Sequence, residues 1–379
     1  MFFYNRDKVL KRIHQIQPSI GKEERRELLD VIDSGWYTEA KKTREFEQKF
    51  AKFVGCKYAS AVTSGTIALY VGLKSLGIGP GDEVIVPDFT FVASANSIEM
   101  TGAKPILIDI EPETLNLNLK NLPKLVTKKT KAIMPVNLNG RSTNLKKLSE
   151  FSNKHNIFLI EDAAHAIGSY YNGKHMGTIG DVAAFSFSIP KIITTGQGGM
   201  VITNNKAIYE KCLSVKDFGR KFGSKKKMST SFAHDTIGYN FKFTEFQAAV
   251  GLAQMKKLNQ RVNKKKKLYK IYKEMLSNIS DIEFIDTNLK NITIWSADII
   301  LNSENKKTKL MNFLAKKNIE TRIFFPAIHG LSPYKQSDRK FPTSFDISKR
   351  GLWLPSSTTL TEDELFLVCK NINNFFKNS

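Results

Sequence analysis

The stretch from residue 157 to residue 165 reads IFLIEDAAH, an apolar run that ends in two acidic residues and, three residues later, a histidine. The apolar run predicts a short buried strand with Asp162 at its carboxyl end. A buried carboxylate needs a cation or several hydrogen-bond donors, and a protonated ring nitrogen of a ligand would satisfy it. A helix N-cap explains Asp162 equally well, and His165 is compatible with a structural role as well as a catalytic one.

Similar apolar runs lie on both sides of this stretch, and segments with helical spacing separate most of them. They occupy about residues 58–62, 84–86, 105–108, 132–136, 182–187 and 200–203. Alternating strands and helices predict an α/β fold with a mostly parallel sheet that is covered on both faces. Because ligands of such sheets bind beyond the carboxyl ends of the strands, residues at those ends are the candidate site.

The length of 379 residues suits a large domain followed by a smaller one. The spacing predicts a helix over about 21–34, with Leu28, Leu29 and Ile32 on its apolar face, and a long helix that starts near Thr244. The charged stretch 261–267 either continues that long helix or links it to later elements. We therefore predict an N-terminal extension at 1–20, a large α/β domain at 21–261 and a smaller C-terminal α/β domain at 262–379.

Lysine and arginine outnumber aspartate and glutamate by 58 to 36, which gives a formal net charge of +22. Apolar residues make up 41% and charged residues 25%, so the composition excludes a disordered or collagen-like chain. The basic runs at 128–129, 220–227 and 264–267 lie far apart and accompany no nucleic-acid-binding motif, so we do not expect a nucleic-acid partner. Solvated lysine-rich faces explain the charge, and an anionic small substrate is the alternative.

The three cysteines, Cys56, Cys212 and Cys369, are too few and too far apart for a disulfide framework or a zinc site. No stretch approaches the roughly 18 consecutive apolar residues of a membrane span, and the first residues lack the features of a signal peptide. We therefore predict a cytoplasmic protein with no membrane span and no metal ion.

Two further predicted strand ends carry groups with chemical potential. Residues 63–66 (TSGT) lie between a strand and a helix, where small side chains and free N–H groups suit a phosphate, although an ordinary N-cap is the alternative. Lys191 follows the strand at 182–187 in an apolar, glycine-bearing segment. A lone loop lysine is usually solvated, but desolvation here would lower the pKa of its amine and make it nucleophilic, as Schiff-base chemistry requires.

Taken together, Lys191, Asp162 and the turn at 63–66 fit one cofactor. Pyridoxal phosphate needs a lysine for its aldehyde, an anion for its ring nitrogen and a cradle for its phosphate. The combination is much more specific than any one of its members.

The sequence resembles the DegT/DnrJ/EryC1/StrS family of pyridoxal-phosphate-dependent sugar-nucleotide aminotransferases, which have the fold type I (aspartate aminotransferase-like) architecture. The similarity extends from about Ile16 to the C-terminus. The motifs that carry it are VTSGT at 62–66, GPGDEVIVP at 79–87, FTFVA at 89–93, EDAAH at 161–165, FSF at 185–187 leading to Lys191, and GYN at 238–240. The resemblance implies a large sheet domain that binds the cofactor and a smaller C-terminal domain that helps to close the site.

The resemblance also implies roles for individual residues around the cofactor ring. Lys191 would bind the cofactor covalently and then move the proton between cofactor and substrate carbons. Asp162 would pair with the ring nitrogen, Phe91 would stack on one face of the ring, and His165 would lie near the other side.

At the phosphate end, the resemblance implies binding by Gly65, Thr66 and Ser186. Asn240 would reach the phosphate site of a neighbouring subunit, because members of the family form homodimers with shared active sites.

Three segments are similar to those of the GDP-perosamine synthases within the family, namely 34–36 (SGW), 320–326 (ETRIFFP) and 350–355 (RGLWLP). The similarity implies that the enzyme moves an amino group from L-glutamate, through pyridoxamine 5'-phosphate, to a nucleotide-linked keto-deoxy sugar. That sugar would be GDP-4-keto-6-deoxy-D-mannose, which becomes GDP-perosamine for surface polysaccharide biosynthesis. The residues implied to bind substrate are Trp36, Arg322, Phe324 and His329.

Some positions depart from that pattern. Ile323 stands where those synthases carry proline, Gln197 replaces a common glutamate and Lys242 a common arginine. The departures leave open another UDP- or dTDP-linked 3- or 4-keto sugar, and a non-catalytic regulator that binds nucleic acid through its basic surface is a second alternative. Lys191 argues against the dehydratase branch of the family, in which a histidine replaces the lysine.

Overall fold

A computed structural model describes residues 12–221 and 233–377, and its main element is a seven-stranded sheet. In spatial order the strands are β1 (Tyr58–Val62), β11 (Gly199–Thr203), β10 (Val182–Ser186), β7 (Phe158–Asp162), β6 (Thr130–Ile133), β2 (Glu83–Pro87) and β3 (Lys104–Ile108). Strand β11 is antiparallel to both of its neighbours, and all other neighbours are parallel. The prediction of an α/β fold with a mostly parallel sheet is confirmed.

Successive residues of the central strands contribute to two hydrophobic clusters. In β10, Ala183 and Phe185 belong to one cluster, whereas Val182 and Ala184 belong to the other. Side chains of a strand alternate between the two faces of its sheet, so a strand that is buried on both faces appears in the sequence as a continuous apolar run. That is why the apolar runs alone locate these strands.

The α-helices of the described ranges cover the sheets and connect their strands. They are α1 (Lys22–Ser34), α2 (Lys41–Val54), α3 (Gly65–Ser75), α4 (Ala93–Glu99), α5 (Leu145–His155), α6 (Lys206–Lys216), α7 (Glu245–Lys256), α8 (Leu258–Leu276), α9 (Glu304–Lys316), α10 (Pro342–Arg350) and α11 (Glu362–Lys377). None of them is both long and apolar enough to cross a membrane.

A smaller sheet is formed by the C-terminal part of the chain. Its antiparallel strands are, in spatial order, β12 (Ile282–Glu283), β13 (Asp298–Leu301), β15 (Gly351–Trp353) and β14 (Arg322–Ile323). Two short hairpins complete the strands, β4 (Ile110–Glu111) with β5 (Asn116–Leu117) and β8 (Tyr170–Tyr171) with β9 (Lys174–His175).

Helix α8 passes from one hydrophobic cluster to another. Val262 packs in a cluster of the large sheet, whereas Leu268 and Tyr272 pack with the small sheet. The charged stretch 261–267 therefore belongs to a second helix and does not continue α7. The predicted boundary between 261 and 262 falls inside α8, close to the point where its contacts change, and the domain division stays a prediction.

The described part of the predicted N-terminal extension packs against the smaller sheet. Ile13 is buried in the same cluster as Leu268 and forms a parallel bridge with Ile319. Gln15 donates a hydrogen bond to Ser296 at 2.8 Å. Ile13 and Gln15 are thus held by contacts with residues more than 280 positions away.

Helix α1 has the predicted bounds but not the predicted burial. Its left-handed C-cap, Gly35, ends it as expected. Leu29 and Ile32, which the spacing assigns to the apolar face, are 47% and 51% exposed, while Val31 and Glu24 are the buried residues. Tertiary contacts of α1 with α7 therefore use a different face from the most apolar one.

Candidate active site

A cavity of about 260 Å³ lies at the carboxyl ends of the parallel strands β1, β2, β7 and β10. This is the edge at which the topology predicts ligand binding. The predicted site residues that line it are Gly65, Thr66, Phe91, Asp162, His165, Ser186, Lys191 and Arg322. Eight of the predicted positions, distant in sequence, are thus brought together by the fold.

One end of the cavity is formed by the N-terminus of α3. Ser64 caps this helix by accepting a hydrogen bond from the Ile67 N–H at 3.2 Å. A methyl group on Gly65 would lie 2.8 Å from the Ser186 Cβ, so only glycine lets the turn approach β10 so closely. The unpaired N–H groups of the first helical turn and the Ser186 hydroxyl form a cradle that suits a phosphate.

The carboxylate of Asp162 is buried at the end of β7 and has few donors. It accepts hydrogen bonds from the Ser94 hydroxyl at 2.7 Å and from the Ala164 N–H at 3.1 Å. Burial raises the pKa of Asp162, and these two bonds and the charge of Lys191 only partly counter it. A cationic group in the cavity would supply the stabilisation that the chain itself does not.

Lys191 lies in the loop between β10 and β11, with its amine directed to the cavity. Burial, opposed by the charge of Asp162 and aided by that of the nearby Arg322, lowers the pKa of this amine to about 7. A substantial fraction of the amine is therefore neutral and nucleophilic near pH 7. Because β11 is antiparallel to β10, the chain returns to the sheet without a crossover helix.

His165 is held between ring systems at the side of the cavity. Its imidazole stacks on the Trp295 indole, with ring centroids 4.1 Å apart and planes 10° apart. Its Nδ1 accepts a hydrogen bond of 3.4 Å from the Asn139 N–H. Burial lowers the pKa of His165 well below its usual value, as do the charges of Lys191 and Arg322, so the ring is neutral.

The opening of the cavity combines an aromatic ring with a positive charge. Phe91 is 51% exposed and lies 5.4 Å from the Phe325 ring. The Arg322 guanidinium lies 5.8 Å from the Phe325 centroid and 5.9 Å from that of Trp353. An anionic substrate entering here would meet a cation whose position is fixed by aromatic packing.

Two predicted substrate-binding residues point elsewhere. Phe324 packs in the core against Trp353, and its neighbour Phe325 lines the cavity instead. His329 is buried beside Asp88, which lies 2.7 Å from Nδ1 and accepts the His329 N–H at 2.7 Å. This pair anchors the chain behind the Phe91 segment. Neither Phe324 nor His329 lines the cavity, and their role in substrate binding stays a prediction.

Two others lie on the surface of the single chain. Trp36 is 59% exposed and follows α1, and Asn240 is exposed beside Asp217, with which it forms a backbone bridge. Neither lines the cavity.

The basic run 220–227 lies largely outside the described residues, and Lys265 of the run 264–267 is buried rather than solvated.

Three residues of the site are absent from the set that the sequence predicts. Ser94 supports Asp162, Thr90 lies 3.1 Å from the Ser94 hydroxyl, and Trp295 stacks on His165. Thr90 belongs to the FTFVA motif, and Ser94 directly follows it. Because the buried Asp162 carboxylate needs hydrogen-bond donors, these hydroxyl groups could have been predicted as its partners. Nothing in the local pattern around Trp295 indicates that it contacts residue 165.

The cavity residues fit pyridoxal phosphate. Asp162 lacks a full set of donors, Lys191 has a lowered pKa, and Gly65 permits the close approach that shapes an anion cradle. These are the three requirements of the cofactor's ring nitrogen, aldehyde and phosphate. Among residues 12–221 and 233–377, no group of three or more His, Cys, Asp or Glu side chains is arranged to hold a metal ion.

Comparison with known proteins agrees with this geometry. The model of the DegT/DnrJ/EryC1/StrS aminotransferase family matches residues 18–373. The chain belongs to this family. It is therefore an aminotransferase, as the motifs predicted, and the shared fold confirms the fold type I architecture.

Individual relatives match over nearly their whole length. The chain is 38% identical to the GDP-perosamine synthase of Escherichia coli O157:H7, covering 97% of this chain and 99% of that protein. It is 39% identical to the GDP-perosamine synthase of Vibrio cholerae, covering 95% and 98%. Among solved structures, the PLP form of Spr1654 from Streptococcus pneumoniae is similar with a TM-score of 0.90 and 25% identity, over 97% of this chain and 99% of that one.

Proposed function

We propose that this aminotransferase uses pyridoxal 5'-phosphate to move an amino group from L-glutamate to a nucleotide-linked keto-deoxy sugar. The most specific form of the proposal is conversion of GDP-4-keto-6-deoxy-D-mannose to GDP-perosamine in the cytoplasm. The observation that carries it is one cavity containing a desolvated lysine amine, an under-stabilised carboxylate and a helix N-terminus. Full-length similarity to two GDP-perosamine synthases supports the choice of sugar.

Bound pyridoxal phosphate supplies an aldehyde that takes up the amino group and a ring that withdraws electrons from the bond being broken. Lys191 would hold the aldehyde carbon and, once released from it, would move the proton. Its pKa of about 7 suits both tasks, because a general acid–base group works best when its pKa is near the operating pH.

Asp162 keeps the ring nitrogen protonated. Its buried carboxylate gains a cationic partner from the ring, and the Ser94 hydroxyl holds its Oδ2 at 2.7 Å in a fixed direction. A charged pair in a site that excludes water is stronger than the same pair in solvent. Gly65, Thr66 and Ser186 orient the phosphate and thereby the whole ring relative to Lys191.

His165, kept neutral by burial, bounds the ring on one side, and Phe91 lies at the opening. Arg322 supplies the positive charge that an anionic substrate requires. The donor and the sugar nucleotide are both anions and use the one cavity in turn, so we expect ping-pong kinetics.

A homodimer is part of the proposal. Large apolar side chains are exposed in the single chain near the two predicted residues that its cavity does not reach, and they include Leu29, Ile32, Tyr37, Ile237 and Tyr239. Burial of such side chains favours association. Trp36 and Asn240 would then complete the site of the partner subunit, and light scattering of the purified protein measures the mass.

The sugar is tested with a panel of substrates. The purified protein, loaded with pyridoxal phosphate, is incubated with L-glutamate and with GDP-, UDP- or dTDP-linked 3- or 4-keto-6-deoxy sugars, and the amino sugars are measured by mass. We expect kcat/KM for GDP-4-keto-6-deoxy-D-mannose to exceed the others by at least about tenfold. Preference for a UDP- or dTDP-linked sugar would keep the cofactor chemistry and reject the GDP assignment.

Arg322→Gln tests the anion contact within the same panel. We expect KM for the sugar nucleotide to rise about tenfold, because a partly desolvated charge contact is worth roughly 1–2 kcal/mol. Arg12→Gln is the matched control, since Arg12 is an exposed arginine paired with Glu320 outside the cavity. An equal rise of KM for the sugar nucleotide in both variants would reject a specific role for Arg322.

A further inference from the structure

The peptide carbonyls on both sides of Lys191 are held by side chains from other parts of the chain. The Trp295 indole N–H donates a hydrogen bond of 2.7 Å to the Pro190 carbonyl. The Arg261 guanidinium donates one of 3.1 Å to the Ile192 carbonyl. A loop residue fixed through both neighbouring carbonyls has little freedom to move its Cα.

Trp295 makes a second contact that the Arg261 side chain does not make. Its indole face stacks on the His165 ring at 4.1 Å, and Trp353 packs edge-on against it at 5.1 Å. The Lys191 amine lies 5.1 Å from the centre of the same indole. One rigid ring therefore touches the lysine loop through its N–H and the histidine through its face.

The backbone of Trp295 is held by a buried lysine. Lys265, on α8, is 4% exposed and donates hydrogen bonds to the Trp295 carbonyl at 2.6 Å and to the Ser356 carbonyl. Burial lowers the pKa of Lys265 to about 7. A buried amine paired with carbonyls alone is costly, whereas an apolar side chain of the same length would fill the space without that cost. The hydrogen bonds to these two carbonyls are therefore the reason for an amine at this position.

We propose that Trp295, anchored by Lys265, is a positioning residue that fixes the Lys191 loop and the His165 ring relative to each other. The inference rests on the proposed function, in which Lys191 moves the proton and His165 bounds the cofactor. The link crosses the molecule, because Lys191 and His165 follow strands of the large sheet while Trp295 precedes β13 of the small sheet. A displacement of about 1 Å in such a group lowers a reaction rate about 10²-fold.

Two variants separate the contacts. Trp295→Phe keeps a ring against His165 but removes the N–H that binds Pro190, and Lys265→Met keeps the stem but removes the amine. Lys307→Met is the matched control, since Lys307 is a buried lysine of α9 whose amine donates to the Lys349 carbonyl and does not line the cavity.

The measurements are kcat, KM for the sugar nucleotide, and a pH titration of the visible absorbance of the protein loaded with pyridoxal phosphate. We expect Trp295→Phe to lower kcat about 10- to 100-fold and to change KM by no more than about twofold. We expect Lys265→Met to lower kcat about 10-fold. In both, the apparent pKa of the absorbance titration should shift from the wild-type value. Lys307→Met should leave kcat and the titration unchanged.

Folded Trp295→Phe protein with wild-type kcat and titration would overturn the inference. If Lys265→Met does not fold, Trp295→Phe decides alone by the same measurements. If Lys307→Met changed kcat and the absorbance titration as much as Lys265→Met does, the inference would also be overturned. The loss of any buried amine would then have the same effect. Wild-type protein that develops no cofactor absorbance would reject the proposed function, whereas normal wild-type behaviour with unaffected variants would reject only the positioning role.

Discussion

Two buried carboxylates, one in the cavity and one at a junction of helices, differ in the partners that the chain provides. Asp162 accepts two hydrogen bonds, and its pKa is raised. Glu24, at the junction of α1, α7 and α8, accepts bonds from the Lys257 amine at 2.8 Å, the Gln254 amide at 2.7 Å and the Gly21 N–H at 2.8 Å. Burial alone would raise the pKa of Glu24, but these donors bring it to about 2.

The partners of the two carboxylates distinguish a charge that binds a ligand from one that holds the fold together. Burial acts on both carboxylates in the same direction, so the donors decide the outcome. The polar side chains at the helix junction bond to one another, and their charges stabilise the fold. The cavity leaves Asp162 and Lys191 short of partners, which the proposed cofactor would supply. Changes in the cavity should therefore alter chemistry, and changes at the junction should alter stability.

The largest expected effect is that of Lys191→Ala. Without the amine there is no covalent hold on the cofactor and no proton carrier, so turnover should fall by at least about 10³-fold and the visible absorbance of the bound cofactor should change. Lys257→Ala is the control from the junction, where the amine pairs with Glu24. It should lower the free energy of unfolding while kcat stays unchanged. Normal amino transfer by Lys191→Ala would reject the mechanism.

Asp162→Asn should have the next largest effect on catalysis. The amide can still accept the Ser94 hydroxyl but carries no charge, so kcat should fall about 10²- to 10³-fold. Without cofactor at pH 7, the free energy of unfolding of this variant should equal that of the wild type or exceed it by up to about 1 kcal/mol. The reason is that the substitution removes a poorly paired buried charge. Urea unfolding measures this. A large loss of stability would show that the chain alone satisfies Asp162.

Glu24→Gln should have the smallest effect on turnover and a clear one on stability. We expect the free energy of unfolding at pH 7 to fall by about 2–3 kcal/mol with kcat unchanged. Because the pKa of Glu24 is depressed in the folded state, the wild-type advantage is present above the ordinary pKa of 4.5 and is lost as the pH falls toward about 2. Urea unfolding of both proteins across this range checks it, and an advantage that grows with acidity would contradict the assignment.

The sequence was sufficient where the pattern is local. Continuous apolar runs located the strands of the large sheet, and the residues after them, such as Lys191 and Asp162, fall at one edge because parallel strands end together. The antiparallel direction of β11 was not readable, since an apolar run of five residues looks the same in either direction.

The sequence was insufficient where contacts are remote or where adjacent residues alternate. Phe324 and Phe325 have the same chemistry, and only the path of the backbone after β14 decides that the second faces the cavity. Trp295 meets His165 from 130 positions away, which no local pattern encodes. Lys265 sits in a run of four lysines and looks solvated, yet the helical turn of α8 carries it into the core.

The pairing of β1 with β11 has a consequence for the order of events during synthesis. Tyr58 pairs with Thr203, and β11 is the strand that covers β1 in the large sheet. The phosphate cradle therefore cannot close until about two hundred residues have emerged, and the Trp295 and Arg322 walls come later still. Pairings of such long separation form slowly. We expect a nascent chain that stops before residue 203 to leave the apolar edge of β1 uncovered, where it is open to association with other chains.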